Sequence, residues 1–159
     1  MADKSLKKRN LILDCAEKVF SQKGFSVVTM KDIIEACNIS RGGIYLYFSS
    51  TDEIFMEVIK SHHQTYLKKT QHNIDEVKDF QVIVETYFEN LKQEMLNIKG
   101  SLKLAMVEFF ITHKTDTESE FFISAMNGLK APISEILLLG KKQGKISYDN
   151  LSDAADLVF

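Results

Sequence analysis

A single proline, Pro132, interrupts 159 residues, and seven glycines accompany it, so few points force a helix to stop and the turn density of an all-β chain is missing. An all-α fold is expected. Apolar residues make up 45% of the sequence, enough at this length to bury a real core in one domain, or in a small domain joined to a larger one. Cys15 and Cys37 lack the paired spacing of a zinc site and are too few for a disulfide framework, so both are read as reduced core thiols. No uninterrupted apolar run approaches the roughly 18 residues of a membrane span, the densest patch being 136–139. The charged start leads into an amphipathic stretch rather than a signal-peptide core, so the expected location is the cytoplasm, with no membrane partner.

Charge is uneven along the chain. Residues 1–48 hold eight basic and five acidic side chains, a net of +3, which leaves 12 basic and 17 acidic in the remainder. The overall net of -2 excludes a generally basic nucleic-acid coat and leaves room for an anion-facing head on an acidic body.

Apolar residues at Leu11, Ile12, Cys15, Ala16, Val19 and Phe20 follow the rhythm of one buried helix face, and Gly24 stops that helix with Phe25 folding back. Thr29 followed by Asp32 reads as a capping box opening a helix of about two turns. Asn38 suits a sharp turn, and Ser40 caps a third helix from Arg41 to about Phe48 with Ile44 and Phe48 inward. Ser50 and Glu53 form a second capping box that launches a long helix to about residue 72. Helical patterns follow at 75–98, 101–113 and 117–143, the last kinked or restarted at Pro132 and ended by Gly144. Another begins at Asn150 and stops in mid-pattern, which reads as a truncated chain.

Three short helices with a Thr cap, an Asn turn and a Ser cap are the layout of a helix-turn-helix, whose last helix enters the DNA major groove. Such a helix needs a buried side to fix it and an outer side of small, basic and hydroxylated groups. Its free N-terminal N–H groups favour phosphate. Gly42 and Gly43 each cost roughly 1 kcal/mol relative to alanine in a helix, so something must offset that cost. Close approach to a DNA strand is one account, and room for Ile34 of the neighbouring helix is the other.

From Lys8 to about Lys68 the sequence resembles the DNA-binding domain of tetracycline-repressor (TetR) type transcriptional regulators. The match runs through Ile12, Leu13, Asp14, Cys15, Ala16 and Phe20, then Lys23, Gly24 and Phe25, then Thr29, Met30, Lys31, Asp32 and Ile33. It continues through 38–48, with the sequence NISRGGIYLYF, and ends on Asp52, Glu53 and Ile54. Within the family, the run 40–51 is similar to the YfiR-like subgroup of bacilli. The resemblance implies a helix-turn-helix domain over 1–50, a connecting helix over 50–72, and an incomplete helical effector-binding and dimerisation domain over 73–159. It also implies phosphate contacts by Thr29, Lys31, Tyr45 and Tyr47, and base reading by Arg41, for which a phosphate clamp is the plainer alternative. Gly42 and Gly43 would lie against the duplex. Where family members carry Lys, this chain has Thr51, which offers a hydroxyl or its N–H; where they carry Thr or Ser it has Gly43, and where they carry Gly it has Asn38. Direct readout is therefore thin, and DNA shape or a basic arm of Lys4, Lys7, Lys8 and Arg9 is expected to contribute.

Beyond residue 70 only architecture carries over. Tyr87, Phe88, Met106, Phe109, Phe110, Phe122 and Met126 are the candidates for an effector pocket, although helical spacing alone places such residues in a core. The acidic, aromatic-rich body suggests an apolar or lipophilic-cation effector. His62, His63, His72 and His113 show no metal-ligand spacing, and no nucleophile elbow or glycine-rich phosphate loop is present, so no metal, cofactor or enzymatic activity is expected. The expected function is a homodimeric, ligand-responsive repressor on a pseudo-palindromic operator. A protein-interaction module with a structural helix-turn-helix is the rival, ahead of a small helical enzyme; Arg41, Gly42 and Tyr45 exposed together favour DNA.

Overall fold

The computed structural model describes residues 2–113, 116–148 and 150–156. Among the described residues there are eight helices and no strand: α1 (Ala2–Lys23), α2 (Met30–Cys37), α3 (Arg41–Tyr45), α4 (Thr51–Val77), α5 (Phe80–Leu96), α6 (Leu102–Thr112), α7 (Asp116–Lys142) and α8 (Leu151–Asp156). Residues 157–159, where the final apolar pattern was expected to arrive, lie outside the described residues.

The chain forms two compact units, one of Met1–Ile59 with Asn97–Phe121 and one of Lys60–Leu96 with Phe122–Phe159. The first is built on phenylalanine. Phe20 meets Phe55 edge-on at 4.8 Å, Phe25 meets Phe109 edge-on at 4.8 Å, and Phe55 lies 5.1 Å from Phe109. Such geometry adds to burial by aligning ring edges with ring faces. Ile12, Ile33, Ile44, Ile54 and Ile59 complete this core and are fully buried. His113 stacks on Phe109 at 4.1 Å, and its Nε2 stands 3.7 Å from the Asp52 carboxylate.

The turn after α1 sets the geometry of this unit. Gly24 closes α1 through its N–H to the Phe20 carbonyl at 2.9 Å and adopts φ +83, a conformation that favours glycine. A Cβ at Gly24 would also stand 2.6 Å from a Glu108 carboxylate oxygen. That carboxylate accepts from the backbone N–H of Phe25 at 2.7 Å and of Ser26 at 3.0 Å, tying α6 to the turn between α1 and α2. These amides hold the Glu108 carboxyl below its ordinary range.

Several boundaries differ from the sequence expectation. α1 starts at Ala2, so Lys4, Lys7, Lys8 and Arg9 form helical turns rather than a free arm; Arg9 pairs with Glu57 and its guanidinium lies 5.2 Å over the Phe48 ring. α3 stops at Tyr45, and 46–48 close as a turn in which Tyr47 and Phe48 both donate to the Ile44 carbonyl. α4 runs to Val77 and stops where Lys78 takes φ +57, which moves the start of α5 from 75 to Phe80. The Gln143 side chain spans that break, accepting from the Phe80 N–H and donating to the Lys78 carbonyl. Pro132 neither ends nor restarts α7, because its ring is fully buried and packing outweighs the lost hydrogen bond.

The second unit packs Ile83, Tyr87, Ile133, Ile136 and Ala155, with Tyr66, Ile74 and Phe80 against them. The stretch Glu120–Lys142 of α7 is long and apolar enough to cross a membrane by length and composition alone. Of its most apolar window 22% is buried, and Ile133 and Ile136 of that stretch belong to the buried core of the second unit. Gly128 lets the His63 ring come close, since a Cβ there would stand 2.3 Å from Nδ1. The His63 Nε2 is buried without a hydrogen-bond partner among the described residues, and burial, helped by His62, pushes its pKa down from 6.5 to about 4.

Both titrating groups have stability consequences. Because Glu108 is acidified by folding, its contribution is present above its unfolded value of 4.5 and is lost as pH falls below it. Glu108→Gln should remove about 1 kcal/mol, discounted for solvent contact, and speed hydrogen exchange at the Phe25 and Ser26 amides. For His63 the neutral form is the folded one, so stability is full above 6.5 and erodes as pH falls towards 4. His63→Asn should flatten denaturant midpoints across that window, whereas an unchanged slope would contradict the assignment.

Candidate nucleic-acid interface

The interface is assembled from two capped helices. Thr29 takes extended backbone at φ -115 and ψ 161, and its hydroxyl accepts from the Asp32 N–H at 3.3 Å while Asp32 accepts from the Thr29 N–H at 2.9 Å. Asp32 also accepts from Lys23 Nζ at 2.6 Å, and these bonds, that of Lys23 foremost, hold its carboxyl well below the usual range. The Thr29 hydroxyl further donates to Asp32 at 2.5 Å, so this side chain is engaged in the cap and not held out towards phosphate. Lys31 stands exposed one residue into α2, 3.8 Å from Glu35.

Between the helices Asn38 adopts φ 52 and ψ 46, and its N–H reaches the carbonyls of Ile34 and Glu35. This is the left-handed position where the family resemblance placed glycine, and asparagine is the next most tolerant residue there. Ser40 then caps α3, its Oγ accepting from the Gly43 N–H at 3.1 Å.

The two glycines of α3 separate sharply. Gly43 is buried, and a Cβ on it would stand 3.0 Å from Ser40 Oγ and 3.5 Å from Lys8 Nζ, so its bareness leaves room for the cap. Gly42 is exposed, with nothing within 4 Å of where its Cβ would be. Ile34 crowds neither, which removes that explanation for the pair. Beside Gly42, Arg41 is exposed with its guanidinium 5.7 Å over the Tyr45 ring, and Tyr45 is 44% exposed. Ile44 and Phe48 anchor the other side in the core. Arg41, Gly42 and Tyr45 thus stand uncovered together, the arrangement that favours DNA over the interaction-module rival.

Tyr47 is half-buried beside this face. Thr51 is half-buried at the start of α4, its Oγ1 3.5 Å from Asp52; Ser50 is the cap, accepting from the Glu53 N–H at 3.1 Å, and Glu53 reaches back to Ser49 rather than Ser50. Leu46 was given no role by sequence, yet it is 81% exposed between the two tyrosines. Its position two residues beyond the buried Ile44 was the available signal.

The residues expected to share an effector pocket are dispersed. Met106 and Phe109 are buried in unit 1, and Phe110 is half-buried there, facing Phe109 and Phe121. Phe122 and Phe88 are exposed, and Met126 is half-buried in unit 2. Tyr87 lines a cleft of about 230 Å³ within unit 2, bounded by α4, α5 and Ile136 of α7. Among the described residues, no group of three or more His, Cys, Asp and Glu side chains is placed to hold a metal ion.

Residues 12–58 match the family described as bacterial regulatory proteins, tetR family. The uncharacterized HTH-type transcriptional regulator YfiR of Bacillus subtilis is 31% identical over 143 residues, covering 87% of this chain and 68% of that protein. Among solved structures, the reduced form of Escherichia coli NemR aligns with a TM-score of 0.75 at 19% identity, covering 95% of this chain and 81% of that one. FadR from Bacillus subtilis in complex with stearoyl-CoA aligns with a TM-score of 0.67 at 17% identity, covering 94% of this chain and 80% of that one. At those identities the likeness speaks for the fold alone, and its helical architecture agrees with the two-part all-α arrangement. With a regulator rather than an enzyme as its relative, and with the capped helix pair in place, the chain belongs to the tetR family of bacterial regulatory proteins, which are DNA-binding transcriptional regulators.

Proposed function

We propose that the chain acts in the cytoplasm as a ligand-responsive homodimeric repressor, placing two copies of α3 in successive major grooves of a pseudo-palindromic operator about 34 Å apart. The observation that carries this reading is Gly42. An exposed glycine inside a helix is unfavourable, and no neighbour in the folded chain requires it. A duplex pressed against the α3 backbone supplies the missing reason. In this reading Arg41 contacts guanine O6 and N7, and Tyr45, Tyr47, Lys31 and the N-terminal groups at Thr51 meet phosphates, which the exposure of Arg41, Tyr45 and Lys31 supports. Leu46 is suited to a thymine methyl group. Thr29 and Gly43 enter only through the caps they build.

The regulatory step needs a ligand that favours a DNA-incompetent arrangement by a few kcal/mol. Because Glu108 and the His113 ring bind α6 to the turn after α1 and to Phe25, α6 and the helix-turn-helix move as one body in this reading. An acidic body suggests an apolar or cationic effector, whereas no carboxylate lines the cleft in unit 2.

Selection of bound genomic fragments, followed by affinity measurement on the selected site, tests the reading. Arg41→Ala should lose about 1–3 kcal/mol on the selected site and relax one base position. Equal losses on random DNA would assign Arg41 to phosphate instead. Gly42→Gln should raise fold stability by up to about 1 kcal/mol while weakening DNA binding, and undiminished affinity would overturn the proposal.

A further inference from the structure

We infer that the cleft between α4 and α5 binds a neutral single-ring molecule bearing a hydroxyl or carbonyl group, and that this molecule is the effector; the regulatory half of the assignment rests on the repressor reading. A cleft of about 230 Å³ has room for one ring with a few substituents.

The walls define the chemistry. Ile83 and Ile136 are buried and give the cleft an apolar floor for a ring face. Two phenols, Tyr66 and Tyr87, and two amides, Asn73 and Asn90, stand around that floor. The threonines that also line the cleft turn back onto their own helices: Thr70 donates to the Tyr66 carbonyl at 3.2 Å and Thr86 to the Val82 carbonyl at 2.8 Å. Asn73 and Asn90, by contrast, make no hydrogen bond or ion pair with another described residue. Their side chains offer both donors and acceptors to a ligand. Burial keeps both phenols protonated, that of Tyr87 pushed up to about 12, so each remains a hydrogen-bond donor. Apolar walls with a few uncommitted polar groups are the composition of a small-molecule site.

Charge argues for a neutral occupant. Lys69 is the one charged side chain among the lining residues, and it is exposed. The Glu94 carboxylate acts on both phenols electrostatically without lining the cleft. A ligand of either sign therefore meets opposing influences and no buried counter-ion, and bringing its charge out of water is not offset.

The test is ligand-observed NMR and calorimetry on the full 159-residue chain without DNA, using 4-methylphenol and benzamide as neutral probes. Benzoate, benzyltrimethylammonium and stearoyl-CoA serve as charged or oversized comparisons. The neutral probes should bind at least about tenfold more tightly than any comparison, a difference of about 1.4 kcal/mol. Tyr87→Phe, which removes one oxygen from a buried ring, and Asn90→Ala, on an exposed helix position, should each weaken them several-fold with little change in the ligand-free unfolding midpoint. Tighter binding of a comparison, or unchanged affinity in both variants, overturns the assignment. Because no operator enters the measurement, its failure leaves the DNA-binding reading standing. A failed operator selection would conversely leave the ligand result intact.

Discussion

The arrangement of unit 1 turns on one carboxylate. Glu108 of α6 receives the two N–H groups that the backbone exposes immediately after α1, at a turn opened by the left-handed Gly24. Unmet, the part-buried Phe25 N–H would lose its partner at a cost of about 1 kcal/mol, while the exposed Ser26 N–H would turn to water. Met, they fix where Phe25 enters the ring cluster with Phe55 and Phe109. That entry point directs the chain into the cap at Thr29, and hence the direction of α2, the left-handed turn at Asn38 and the outward presentation of α3. The uncovered face around Gly42 is downstream of a contact between residues 83 positions apart.

Local physics was readable in the sequence because it is written at short spacing. The caps at Thr29, Ser40 and Ser50, the stop at Gly24 and the turn at Asn38 each depend on residues within four positions, and all are found where their side-chain chemistry placed them. Helix ends failed where the deciding partner was distant. α4 outran its expected end because Lys78 accepts positive φ with Gln143 bridging the break, and no pattern near residue 72 records that. The first turns of α1 were invisible to an apolar rhythm because their residues face solvent, and the contacts that Arg9 makes with Glu57 and the Phe48 ring are distant in sequence.

The site was legible to the same degree. Arg41 and Tyr45 could be placed outside from the inward spacing of Ile44 and Phe48. The roles of the two glycines could not be separated without coordinates, because adjacent residues point in different directions and only one of them meets Ser40 Oγ. The effector candidates were less specific for a related reason: a stripe of aromatics records burial, and burial is shared by core and pocket alike. Tyr87 belongs to both, and the polar groups that distinguish the cleft, Asn73 and Asn90, carry no helical signature of their own.

The brevity of α3 has an outcome for anyone wishing to imitate it. Five residues, two of them glycine, form too short a segment to pass the nucleation barrier in water. Its shape is borrowed from Ser40, from the ring of Phe48 seated beneath Arg9, and from the buried Ile44. A synthetic peptide copied from 40–48 would therefore be a coil without affinity for any operator, and a minimal reader of DNA cut from this protein would have to retain α6 along with the first four helices.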